Sequence, residues 1–253
     1  MGVLDFHKPR SFREIEKYGG FSIEDWSNPE WQQSCSITDA RELSQVIKLS
    51  DSQVEHVNKA VGQSRPMRIT PYYALLMDAD PLNLRDSDGD VLPRIDPIFR
   101  QAVPTMAGVF FNRGNPDMGE ESRSFGAAYG RYPDRVALIT TNMCEMYCTH
   151  CQRQKLISGS QSTPDRDLDE GLDYIALNPN IRDVLITGGD ALTLKAPGER
   201  WNESRFAHIL SRLSETRHVQ HVRVCTRAPV TNPFIVDDDL VDTMKLYSRS
   251  PKN

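Results

Sequence analysis

No run in this 253-residue chain approaches the twenty or so apolar residues that a membrane-spanning helix needs. The start, Met1-Gly-Val-Leu-Asp-Phe-His-Lys8, lacks the apolar core of a secretory signal. Phe6 stands where a myristoylated Gly2 would want Ser or Thr. Nor does one sign of charge dominate. Thirty Lys and Arg against thirty-five Asp and Glu leave a net charge of −5, which removes any general pull on nucleic acid or anionic lipid. Small molecules or protein are the expected partners. Repeats and low-complexity segments are missing too. Cysteine is scarce, five in all, and unpaired thiols predict a reducing, cytoplasmic setting. A hydrophobic share of 38% and a charged share of 26% suit a folded globular protein of one large or two modest domains.

From Ser11 to about Pro66 the pattern is helical. Asp39 and Glu42 form a capping box ahead of Leu43, Val46 and Ile47. A second helix follows Ser52, with Val54, Val57 and Val61 on one stripe and Gly62 as its stop. Trp26 and Trp31 read as core or docking aromatics. Thr70-Pro71 opens a further helix as N-cap and first residue. Residues 78–97 read as a loop. Its Asp86-Ser-Asp88-Gly-Asp90 falls short of a calcium loop because Gly89 is fourth and Pro97 replaces the closing glutamate. Residues 114–130 read as an irregular polar connection. After Arg131 the pattern becomes strand–helix alternation. Val136–Thr140, Asp183–Thr187 and Val222–Thr226 read as strands, the first a continuous apolar run of the kind buried on both faces. Leu168, Leu172, Ile175 and Ala176 mark the helix after the first. Phe206, Ile209, Leu210 and Leu213 mark the next, and Leu240, Val241, Met244 and Tyr247 the last. The class predicted is α/β, with 1–130 mainly helical and 131–253 built from three β-α units on parallel strands, open sheet or barrel.

Three of the five cysteines lie within eight residues, as Cys144-x3-Cys148-x2-Cys151. Three thiolates so close can hold three irons of a four-iron, four-sulfur cube and leave the fourth open to a small molecule. Zinc is the alternative, since His150 adjoins Cys151, but no second Cys/His pair follows. A disulfide would leave one thiol over. In folds of this class reactive groups sit on loops at the C-terminal ends of the strands. The cysteine loop follows the first strand, Gly188-Gly189-Asp190 ends the second, and Cys225-Thr226-Arg227 ends the third. The two glycines permit close approach of a ligand, and the Asp190 carboxylate suits an ammonium group; an ordinary glycine turn is the alternative. Arg227 with Thr226 could grip a carboxylate, or Arg227 could pair with Asp190. Arg131, Tyr132 and Arg135 suit a phosphate-bearing cofactor or a surface ion pair. Arg153 suits a substrate carboxylate. Cys225 reads as a small buried apolar residue.

The cysteine spacing resembles that of the radical S-adenosylmethionine (SAM) enzymes. The resemblance then narrows. Arg131-Tyr-Pro-Asp-Arg135, Cys144-x-Met-Tyr-Cys148-x-His-Cys151-x-Arg153, Asp183-Val-Leu-Ile-Thr-Gly-Gly-Asp-Ala-Leu192 and Val222-Arg-Val-Cys-Thr-Arg-Ala-Pro-Val230 resemble the lysine 2,3-aminomutase family in order and spacing. Met67-Arg-Ile-Thr-Pro-Tyr-Tyr73 and Arg100-Gln-Ala-Val-Pro104 extend the likeness upstream, so that it covers nearly the whole chain. The resemblance implies a partial (β/α) barrel behind a helical N-terminal domain. It implies a four-iron, four-sulfur cluster on Cys144, Cys148 and Cys151, completed by SAM. Gly188, Gly189 and Asp190 would hold the SAM amino group, with Thr226 and Arg227 on its carboxylate side. Arg131, Tyr132 and Arg135 would surround pyridoxal phosphate, and Arg153 would bind the substrate's α-carboxylate. One electron from the cluster would cleave SAM, the 5′-deoxyadenosyl radical would take hydrogen from the substrate's β-carbon, and pyridoxal phosphate would carry the nitrogen from C2 to C3. A flavodoxin or ferredoxin type of donor and a possible homo-oligomer follow from the same likeness. Lysine is the first substrate implied; glutamate, arginine and protein-bound lysine are the others.

Two departures stand out. Gln154-Lys155 replaces the arginine pair usual after Arg153. The family also continues through more strands after the third β-α unit, including the lysine that forms the Schiff base with pyridoxal phosphate. The expectation is that this polypeptide alone is not a competent aminomutase, but a truncated form or one half of a split enzyme. The third strand would then be an open edge. A radical SAM activity without pyridoxal phosphate and a non-catalytic fragment are the competing expectations.

Overall fold

The structure is a computed structural model that describes residues 10–64, 66–84, 95–105, 123–151, 153, 157 and 163–248. The aspartate-rich turn at 86–90, the pair Gln154-Lys155 and the first nine residues lie outside the described residues. The chain divides into two compact units. One comprises Met1–Asn115, Glu145–Cys151 and Val230–Asn232, the other Pro116–Cys144, Gln152–Pro229 and Pro233–Asn253.

The first unit holds six short helices among its described residues: α1 (Ile23–Trp26), α2 (Pro29–Ser34), α3 (Ala40–Ser44), α4 (Asp51–Ser64), α5 (Pro71–Leu76) and α6 (Pro97–Ala102). Most are too short to persist alone, so their ends are fixed by caps. Asn28, Asp39, Thr70 and Asp96 each accept a main-chain N–H of the first turn, and Pro29, Pro71 and Pro97 occupy the first helical position. The box expected at Asp39 is displaced by one residue. Asp39 accepts from Arg41 and Glu42, while the Glu42 carboxylate accepts from the Thr38 N–H at 2.9 Å. Helix α4 runs past Gly62 to Ser64. Glycine ends a helix only where the chain turns left-handed, and Gly62 does not adopt a positive φ. Leu43, Val46 and Ile47 are buried as the periodicity requires. Phe12, Tyr18, Trp26 and Trp31 form an aromatic cluster, with Phe12 stacked on Trp26 at 4.6 Å.

The second unit is organised on one five-stranded sheet, ordered β1 (Arg123–Phe125), β2 (Ala128–Tyr132), β3 (Arg135–Thr141), β4 (Asp183–Gly188) and β5 (His221–Val224). β3, β4 and β5 are parallel. They are joined through α7 (Asp165–Leu177) and α8 (Arg205–Glu215), and α10 (Asp238–Tyr247) follows β5 after the short α9 (Ala228–Thr231). The connection expected over 114–130 is, from Arg123 onward, an antiparallel hairpin that extends the sheet beyond β3. Its turn is the two-residue Gly126-Ala127, with Gly126 at φ 54°. The Ala127 N–H donates to the Asp167 carbonyl, and Phe125 stacks on Tyr174, tying the hairpin to α7.

β3 is not buried on both faces. Val136 and Leu138 are buried, whereas Ala137 and Ile139 are half-buried. Helices α7, α8 and α10 contribute Leu172, Ile175, Phe206, Ile209, Leu213 and Leu240 to the same cluster as Val136, Leu138, Val184 and Ile186. Burial alternates along most of β3, whereas β4 is buried at every residue but Leu185 and β5 is exposed or half-buried throughout. Among the described residues no helix is long and apolar enough to cross a membrane.

Candidate functional site

At the end of β3 the chain is held to the end of β4 main chain to main chain. The Gly189 N–H donates to the Thr141 carbonyl at 2.6 Å, and the Asp190 N–H donates to the Met143 carbonyl at 2.7 Å. This approach explains the glycine pair. A Cβ on Gly189 would lie 1.9 Å from the Met143 carbonyl oxygen. One on Gly188, at φ 120°, would lie 2.3 Å from that of Thr141. The space the two glycines leave is filled by the segment that leads into Cys144.

Asp190 is 5% exposed and its carboxylate is engaged on both oxygens. Oδ1 accepts from the Thr226 hydroxyl at 2.6 Å and the Leu192 N–H at 3.0 Å. Oδ2 accepts from the N–H groups of Arg227 at 2.7 Å and Ala228 at 3.1 Å. Four donors fill the acceptor capacity of a carboxylate. The Asp190 carboxylate thus fastens the end of β4 to the end of β5. The anticipated Arg227–Asp190 pairing is made by the main-chain N–H. Arg153 is half-buried, and its guanidinium donates to the Thr187 hydroxyl on β4. The sheet rim therefore gathers Met143 next to Cys144, Arg153, Gly188–Asp190 and Thr226–Arg227.

None of the five cysteines is in a disulfide, and all are half-buried. Cys144 closes a segment of the second unit; Cys148 and Cys151 stand on Glu145–Cys151, part of the first. The Cys151 N–H donates to the Cys148 carbonyl at 3.2 Å, so one turn carries both thiols. His150 is exposed. Among the described residues no three His, Cys, Asp or Glu are grouped as a metal site. Thiols are the donor type that an iron–sulfur centre takes. Arg131, Tyr132 and Arg135 lie elsewhere. All three are exposed at the end of β2 and the start of β3, where the Arg135 guanidinium stacks on the Tyr132 ring at 5.1 Å. A seven-residue strand separates them from the rim, about 20 Å at the usual rise. The structure does not bring this trio to the other predicted residues.

No family model matches the chain. Curated proteins do. Glutamate 2,3-aminomutase of Clostridioides difficile is 39% identical over 227 residues, which are 88% of this chain and 49% of that protein. L-lysine 2,3-aminomutase of Clostridium subterminale is 34% identical over 242 residues, 93% of this chain and 53% of the relative. That of Bacillus subtilis is 34% identical over 248 residues, 96% and 48%. The chain belongs to the lysine 2,3-aminomutase family. It spans about half the length of the curated relatives it matches.

Within this aminomutase-family chain, sequence reasoning passed over Thr187, whose hydroxyl receives Arg153, and Met143, whose carbonyl receives Asp190. It also passed over Glu145. That carboxylate lies between two cysteines and is 2% exposed. An acid directly preceding the apolar pair Met146-Tyr147 is the signal that could have drawn notice, since charged groups are rarely buried without partners.

Proposed function

We propose that these residues carry the cluster-binding and SAM-binding part of a 2,3-aminomutase of the radical SAM type, an isomerase that moves an amino group from C2 to C3 of an amino acid. The sheet is then the first part of a (β/α) barrel. The observation that carries the reading is the convergence of Met143, Gly188–Asp190 and Thr226–Arg227 on one sheet rim. Cys144, Cys148 and Cys151 would hold three irons, and SAM would complete the fourth. When bound, the cluster supplies the single electron that cleaves SAM. Thr226 and Arg227 would meet the SAM carboxylate, positioned by the bonds they make to Asp190, and the main chain at Gly188-Gly189 would border its amino group. Arg153 would hold the substrate carboxylate. Lysine and glutamate, named in the relatives, are the substrates to assay. A flavodoxin or ferredoxin type of donor, a reducing cytoplasm, and a second copy or a polypeptide corresponding to the relatives' other half complete the proposal.

A second reading keeps cluster and SAM without pyridoxal phosphate. It is favoured by the distance of Arg131, Tyr132 and Arg135 from the rim. Their two guanidinium groups suit a phosphate, but they stand a strand's length from the residues that would meet SAM.

Anaerobic iron–sulfur reconstitution followed by electron paramagnetic resonance of the reduced protein tests the first reading. A four-iron signal whose shape changes on adding SAM is expected. Iron that fails to bind, or binds without responding to SAM, overturns it. Absorbance from pyridoxal phosphate that survives desalting, and falls in Arg135→Ala, separates the two readings.

A further inference from the structure

Glu145 is buried and placed directly after the first cysteine of the loop. Its Oε1 accepts from Gln33 Nε2 on α2 at 2.7 Å, and its Oε2 accepts from Asn232 Nδ2, just after α9, at 3.0 Å. The Asn232 amide nitrogen also donates to the Pro29 carbonyl at 3.1 Å. Asn232 is fully buried, and its Oδ1 has no hydrogen-bond partner. A buried amide oxygen left unpaired is costly and needs a reason. The carboxylate provides it, because only the nitrogen end of the amide can face Glu145. Two side-chain amides thus donate to the one buried carboxyl group.

The rest of the segment is anchored through its main chain and one hydroxyl. The Tyr147 N–H donates to the Arg68 carbonyl, the Thr149 N–H to that of Gln101, and the Thr149 hydroxyl to that of Arg100. Met146 is 3% exposed. Glu145 is the anchor nearest Cys144, and a single substitution removes its bonds to Gln33 and Asn232.

We propose that Glu145 is a positioning residue that, with Gln33 and Asn232, fixes the loop bearing Cys148 and Cys151 before any cluster is present. Its purpose rests on the function proposed above; its existence does not. The test is alkylation of the reduced, iron-free 253-residue protein by iodoacetamide, followed cysteine by cysteine by peptide mass spectrometry, with Cys225 as internal reference. In Glu145→Ala, Cys148 and Cys151 are expected to react at least about tenfold faster than in the parent, the change that follows from losing these hydrogen bonds, while Cys225 is unchanged. Asn232→Ala should reproduce the pattern, and Glu145→Gln, which keeps one acceptor, should fall between. Should Glu145→Ala not fold, Gln33→Ala removes one donor from a half-exposed position and should show the same selectivity at smaller size. Unchanged rates at Cys148 and Cys151, or equal acceleration at Cys225, would overturn the proposal. Failure of the parent protein to bind iron would sink the proposed function and leave this result standing.

Discussion

At the scale of single residues, two buried acidic side chains, Asp190 and Glu145, place their oxygens on donors of the chain itself. Asp190 satisfies four donors, so its substitution is a structural event before it is a chemical one. Asp190→Asn replaces one acceptor oxygen by an N–H group that must face existing donors. A loss of about 2 kcal/mol is expected from hydrogen bonds to a charge, read as a lower midpoint in urea unfolding. No loss of stability would show that the Thr226 and Arg227 contacts are dispensable. Tyr18 is the opposite case. It is 1% exposed, its hydroxyl has no partner, and burial followed by the nearness of Cys35 and Glu42 raises its pKa. A raised pKa in the folded state favours the neutral phenol, so the folded protein keeps its full stability below the unfolded pKa of about 10 and loses it as pH rises above that value. Tyr18→Phe removes an unpaired buried hydroxyl and should stabilise the protein by about 1 kcal/mol at pH 7. In thermal melts the gap should widen above pH 10; a variant less stable than the parent at pH 7 would mean that the hydroxyl is bonded in solution.

At the scale of elements, the glycine pair decides how β4 meets the segment after β3. Gly189→Ala puts a methyl group 1.9 Å from the Met143 carbonyl, and main chain cannot rotate away as a side chain can. Overpacking against backbone should cost about 3 kcal/mol or more, with thermal unfolding as the measure. The same variant should lose iron in reconstitution, because Met143 leads into Cys144. Normal stability with normal iron content would mean that the two segments are not locked. This contact was not legible in the sequence, where Gly-Gly reads equally as a ligand cradle; which neighbour a missing Cβ makes room for is a tertiary fact. The parallel strands were legible, because Val136–Thr140 and Asp183–Thr187 are apolar runs set between helical periodicities. The alternating burial of β3 was not, since an apolar run does not tell which face receives helices. The hairpin over 123–132 was missed although Phe125-Gly126-Ala127-Ala128 carries a two-residue turn signal, because Ser, Gly and Arg around it mask the short strands. Glu145 was missed for a different reason. Its partners Gln33 and Asn232 lie 112 and 87 residues away, beyond any local pattern.

At the scale of the molecule, the sheet ends on one side in β5, which pairs with β4 alone among the described residues. Val222 is 39% exposed there, and beside it Leu210, Leu213, Val224, Met244 and Tyr247 line a groove between the strand and helices α8 and α10. An edge strand with an apolar flank is a template for another strand. Natural edges are usually blunted by charge, yet the four residues of β5 are His221, Val222, Arg223 and Val224, and the Arg223 guanidinium is turned onto Asp183 at 2.9 Å. The one cation on the strand is thus occupied with β4. The net charge of −5 is too small to keep copies apart at physiological salt, where fields fade within about 8 Å. The purified 253-residue chain should therefore associate with rising concentration in sedimentation velocity. Val222→Lys, which sets a charge on the edge at the cost of partial valine burial, should weaken that association about tenfold and lower the thermal midpoint by only a few degrees. If the parent stays monomeric at high concentration, the β5 edge is not adhesive. If both parent and variant associate alike, the contact lies elsewhere on the surface.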